Sequence, residues 1–245
     1  MKSLLTYEIK RIRTLERFWG ALILAMLAAL GFVIYTKATF FNGYMFTIRT
    51  MQFQLYAFNI IAGVSALLCM HTSVFTKKSI DLAKEHKVKS GTLVFMKWLA
   101  GALQIAFMYA VTLIFLLLLG LAFGAHNTAF QVKAIALSYF TGMLAAIGTY
   151  TLAMFFQFLT AFPVLPIIIY VLLMGAAPIV LKSYGWPGFP GLLYSESRSA
   201  YSLILLGSPK IGFLIALFFY AVPALLLSIL VFALKKKRLM KKNGL

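Results

Sequence analysis

DLAKEHKVKSGTLVFMKWLAG, residues 81–101, is a charged island between two long apolar runs. It holds two acids and four lysines in a chain of 245 residues that is 62% hydrophobic and only 11% charged. Soluble domains are nearer half apolar and a quarter charged, so a core of this length has no room for so much apolar surface. The composition therefore assigns the chain to the membrane class, and the island must lie at a water-facing boundary.

Working outward from the island, apolar runs occupy 18–35, 54–75, 93–123, 134–159, 161–181 and 211–234. Each meets or approaches the ~20 residues that cross a ~30 Å hydrocarbon layer at ~1.5 Å per residue. Open strands would leave backbone groups unsatisfied in lipid, so these runs are expected to be six transmembrane helices of a single domain, residues 1–245. Pro163 and Pro166 separate the fourth run from the fifth, because proline is tolerated near a helix start and disfavours one unbroken helix. The basic stretch up to Arg17 and the length of the first run favour a retained span over a cleaved leader.

Charge sets the orientation. With six spans and the N-terminus inside, segments 1–17, 76–97 and 235–245 hold 17 of the 23 basic residues. The positive-inside rule then places both termini and the island in the cytoplasm. The net charge of +18 is split among these flanks, with no nucleic-acid motif, so nucleic acid is excluded as a partner. One cysteine, Cys69, rules out an internal disulfide.

The N-terminal stretch reads as an interfacial helix over 1–17. Leu5, Ile9, Ile12, Leu15 and Trp19 recur at spacings of three and four, while Lys10, Arg13, Glu16 and Arg17 fall elsewhere. Membrane lipids with anionic headgroups are its expected partner. Between the fifth and sixth runs, 182–210 is too polar to span and too rich in breakers at GWPGFPG to continue a helix. It is read as an extracellular segment dipping back into the outer leaflet, with Trp186, Pro187, Pro190, Glu196 and Arg198 as gate residues.

In the island, Ser79 is placed to cap a helix, and Asp81 falls in the first turn, where the dipole favours anions. Asp81–Lys84 and Glu85–Lys89 are spaced to pair on one face, and Ser90-Gly91 breaks the helix. This predicts a short cytoplasmic helix over 79–89. A helix so short is marginal in water, so docking into a partner would stabilise it.

The chain lacks the equipment for chemistry of its own. Its five acids, Glu8, Glu16, Asp81, Glu85 and Glu196, lie outside the span cores, where ion-coupled carriers hold carboxylates. No HExxH and no GxxxxGK[ST] is present, so neither a metal site nor a nucleotide site is expected and the chain is not expected to be an enzyme. Gln54, Asn59, Ser65, Gln104 and Gln157 could line a path, but such residues more often bond neighbouring helices. Transport would need power from a separate ATPase.

Six spans, an interfacial helix, an acidic helix followed by Gly91-Thr92, the apolar Leu93-Val94-Phe95-Met96 and Lys97, and a broken outer segment together resemble the permease subunit of an ABC-2-type transporter. The Pro-x-Ser-Arg-like turn usual in that family before the lysine is absent. The resemblance implies a second permease chain, identical or homologous, and two cytoplasmic ATPase subunits that bind ATP and magnesium. It makes 79–89 the coupling helix, with Asp81, Lys84, Glu85, His86, Lys87, Lys89, Gly91 and Thr92 at the ATPase. Small outer loops resemble those of permeases in the bacterial plasma membrane of Gram-positive species, which export amphipathic peptides or confer lantibiotic immunity. Tyr35, Phe40, Phe41, Tyr44, Phe46, Met70, Phe95, Met96, Met108 and Tyr109 could offer an apolar surface to such cargo. A non-transporting immunity or scaffold protein, and a permease for cofactor or metal-centre maturation, are the alternative readings.

Overall fold

A computed structural model describes residues 6–10, 12, 16–39, 41–74, 89–159, 164–176 and 221–234. Among these the chain is helical apart from short connections, with no strand. Residues 6–10 and 12 form a helical N-terminal segment. It is followed by α1 (Glu16–Thr39), α2 (Gly43–Phe53), a π-helical turn (Gln54–Phe58) and α3 (Asn59–Val74). Then come α4 (Ser90–Ala122), α5 (Ala129–Leu159), α6 (Val164–Val171) with a second π-helical turn (Leu172–Ala176), and α7 (Ala221–Leu234).

Three of these helices, α1, α4 and α5, are long and apolar enough to cross a membrane. The outward faces of the first two confirm the solvent they require. Leu27 of α1 is 61% exposed, and Leu118 and Leu121 of α4 are 58% and 71% exposed. Rows of bare leucine would be an aggregation surface in water, whereas lipid receives them without cost. This is a helical membrane protein. The remaining apolar runs are also helical where described: the second over the π-turn and α3, the fifth over α6 and its π-turn, and the sixth over α7.

The chain winds up and down. At one end Lys37 lies 4.9 Å over the Phe123 ring, and Gly43 sits close to the His126 carbonyl and Gln131. At the other end Phe158 meets Phe232 at 5.6 Å, and a Cβ on Gly91 would lie 3.4 Å from Ile229. The N-terminal segment, the start of α4 and the end of α7 therefore share one end of the bundle. These are the attachment points of the basic segments 1–17, 76–97 and 235–245. Residues 75–88, with the expected helix over 79–89, lie outside the described residues, as do 177–220 with the gate segment.

Two boundaries differ from the sequence reading. Residues 36–53, expected as an outer connection, contain the helix α2, which runs without interruption through the π-turn into α3. The reason is local: the Asn42 side chain accepts from the Met45 N–H at 2.8 Å and caps the helix. The break expected at Ser90-Gly91 falls one residue earlier, at Lys89, whose extended backbone (ψ 142°) precedes a helix beginning at Ser90. The restart at α5 follows a capping box: Gln131 N–H donates to Thr128 Oγ1 at 3.3 Å, and Thr128 N–H to Gln131 Oε1 at 2.9 Å.

Inside the bundle α3 packs against α1, α4, α5 and α6. Its centre is aromatic: Phe58 meets Tyr109 edge-on at 4.7 Å and Tyr139 at 6.1 Å. Tyr170 lies against Gly63 so closely that a Cβ there would overlap its ring, and Tyr170 Oη donates to the Asn59 carbonyl at 2.9 Å. This close approach of α3 and α6 requires glycine. In an exposed helix Gly→Ala stabilises by ~1 kcal/mol. Gly63→Ala should instead destabilise by ~1–3 kcal/mol, the cost of overpacking. A thermal melt of the purified protein in detergent checks the sign.

Candidate functional site

The site begins with a charge where the chain should have none. Glu8 is four residues before Ile12 and one before Ile9, and so falls on the apolar face of the N-terminal segment. Glu8 is 3% exposed and Ile12 7%. From α4, Lys97 is also buried, and its Nζ donates to Glu8 Oε1 at 2.9 Å. The pair is enclosed by Ile12, Ala66 and Met70 of α3, and Ala100 and Gly101 of α4.

Magnitudes define what such a pair can do. At 2.9 Å and an effective dielectric of ~20, the attraction is about 6 kcal/mol. Withdrawing the two ions from water costs several kcal/mol each, so the net gain over two apolar residues is close to zero. Removing one partner is different, because it strands a charge, at a cost of ~3–5 kcal/mol. The pair therefore contributes position: it holds the N-terminal segment against one face of α4 and nowhere else.

Neighbouring side chains fix that face of α4. Trp98 Nε1 donates to Thr151 Oγ1 of α5 at 2.8 Å. Gly101 admits the Tyr150 hydroxyl, which donates to Met70 Sδ at 2.9 Å. One turn further, Gln104 Nε2 donates to Ser65 Oγ at 2.9 Å and approaches Cys69 Sγ at 3.6 Å. Gln157 Nε2 reaches the Leu67 carbonyl at 3.4 Å. Farther along, Gln54 and Ser138 exchange two bonds of 3.0 and 2.8 Å, and Tyr109 donates to Asn59 Oδ1. All five polar span residues singled out in the sequence thus tie helix to helix.

Of the docking residues expected from the sequence, Lys89, Gly91 and Thr92 are described. Lys89 is exposed at the start of α4, and Gly91 and Thr92 are half-buried in its first turn. Asp81, Lys84, Glu85, His86 and Lys87 lie outside the described residues, as do Trp186, Pro187, Pro190, Glu196 and Arg198. Of the apolar residues offered to cargo, Phe46, Met70, Met96, Met108 and Tyr109 are buried in the chain's own core, while Tyr35, Tyr44 and Phe95 face outward. Among the described residues no three His, Cys, Asp or Glu side chains come together.

The sequence reading missed Glu8 as a site residue. The signal was present: Leu5, Glu8, Ile9 and Ile12 share the three-and-four spacing, so an acid sits in the apolar stripe. No family model matches this chain, and no curated protein matches it.

Glu8→Ala and Lys97→Ala should each lower stability by ~3–5 kcal/mol, whereas Glu8→Leu combined with Lys97→Met should recover most of the loss. Denaturation in detergent of the two alanine variants and of the double Glu8→Ala/Lys97→Ala gives the coupling energy, and the Leu/Met double measures the recovery.

Proposed function

We propose that this chain is the permease subunit of an ATP-driven exporter, embedded by six spans in a bacterial plasma membrane with both termini in the cytoplasm. It takes its power from a separate ATPase, which binds ATP and magnesium. The observation that carries this reading is the buried Glu8–Lys97 pair. The charged island 81–89 feeds directly into α4, and eight residues into that helix the pair fastens it to the N-terminal segment.

A pull or push on the island thus reaches α4 and the interfacial segment as one body. From α4 it passes through Trp98–Thr151 and Gln104–Ser65 to α5 and α3. An ATPase seated on the island shifts the permease only if it holds the island more tightly in one state than in the other. Gln54, Asn59, Ser65, Gln104 and Gln157 each bond a neighbouring helix of the same chain. A translocation path therefore forms between two permease chains, and the exposed apolar faces of α1 and α4 are the surfaces available for it. Its cargo is an amphipathic peptide or a similar hydrophobic molecule, consistent with spans that carry no charge beyond the pair at their edge.

Reversing Asp81, Glu85 and Lys89 together should abolish co-purification with the separately encoded ATPase and reduce stimulated ATP hydrolysis by at least about tenfold, the effect of losing several charge contacts. Undiminished assembly and hydrolysis in that variant would remove the island from the interface.

A further inference from the structure

A cavity of about 10 Å³ lies against the Glu8–Lys97 pair, walled by the two ions, by Ala66 and Met70 of α3 and by Ala100 and Gly101 of α4. Ile12 and Ala100 line this cavity and also a larger groove, of about 580 Å³, between the N-terminal segment, α1 and α4. The two spaces differ in kind. The groove is lined mainly by apolar residues, the half-exposed Trp19, Leu103 and Phe107 among them. The small cavity has a carboxylate and an ammonium in its wall, each on a residue only 3% exposed.

Size and polarity together specify an occupant for the small cavity. A space of this volume takes one water and nothing larger. Cavities that stay dry are lined by apolar groups alone, whereas a buried water needs two or more polar partners. An ammonium carries three N–H donors and a carboxylate several acceptor sites. The direct bond of 2.9 Å between Lys97 Nζ and Glu8 Oε1 therefore leaves both groups able to hold a water as well.

We propose that a single water is bound in this cavity, accepting from Lys97 Nζ and donating to a carboxylate oxygen of Glu8. It belongs to the joint between the N-terminal segment and α4. Ions buried together with a water keep part of their hydration, which lowers the cost of withdrawing them from solvent. The site rests on the pair alone and stands or falls independently of the permease reading.

The substitution Ala66→Val pushes methyl groups into the cavity and excludes the water. In the otherwise native full chain it should lower Tm by about 2–4 °C, the scale of one lost hydrogen bond in a chain of this size. In the Glu8→Leu/Lys97→Met background, where the wall is apolar, the same substitution should leave Tm unchanged or raise it. A decrease of equal size in both backgrounds is overpacking and overturns the proposal. No decrease in the otherwise native chain means a dry cavity and overturns it too. A direct reading comes from nuclear magnetic resonance of the full chain in detergent, labelled with nitrogen-15 at the lysine Nζ. The Lys97 ammonium resonance, assigned by its loss in Lys97→Met, should show a cross-peak to a long-lived water, and Ala66→Val should remove it. A resolved ammonium resonance without that cross-peak overturns the proposal.

Discussion

A single buried ion pair decides how the beginning of this chain meets its middle. Glu8 and Lys97 are 89 residues apart and both nearly inaccessible. Neither would tolerate burial alone, so each dictates where the other must be. Apolar packing could hold the N-terminal segment to the bundle at many offsets, since leucine and isoleucine surfaces slide over one another at little cost. A charge pair has one register. That constraint orders the rest of this end of the molecule, from the α4 face that receives the segment to the groove left between the segment and α1.

The same logic governs the polar bonds deeper in the bundle. Lipid tails are as apolar as leucine, so helices in a membrane gain little from hydrophobic burial against one another. Association then depends on close packing and on hydrogen bonds that hydrocarbon cannot replace. Gln54 with Ser138, Asn59 with Tyr109, and Gln104 with Ser65 supply the bonds; glycines at 63 and 101 let the tyrosines of α6 and α5 approach. α3 is the hub because it contributes to most of these contacts, and its continuity with α2 through a π-turn lets one long helical run serve both ends of the bundle.

Much of this is legible in the sequence. The apolar runs locate the helices because a bilayer selects segments chiefly by their length and apolar content, and the glutamines and asparagine read as interhelical links because they stand isolated among apolar residues. Pro166 falls in the first turn of α6, where a proline near a helix start is tolerated. Other features are less visible. Helix α2 is hidden by Arg49 and its threonines, which lower its hydropathy although Asn42 is a ready cap. Glu8 escapes notice because an acid near a terminus is ordinarily solvated, and only the position of Lys97 in three dimensions makes it otherwise. Pairing across 89 residues leaves no periodic trace, so the groove beside it could not be read either.

The length of α4 adds a mechanical consequence. Its 33 residues extend roughly 50 Å, while hydrocarbon is only ~30 Å thick, so about 20 Å must be taken up by tilt or by overhang. Lys97 stands about 10 Å along that rod from its first residue, so an overhang shared equally by the two ends would set it where water gives way to acyl chains. The ion pair is thereby a depth gauge: bilayers a few ångströms thicker or thinner would draw the ammonium and carboxylate toward different dielectric surroundings and load the joint between them. A rod of this kind couples membrane thickness to the attitude of everything fastened at its charged end.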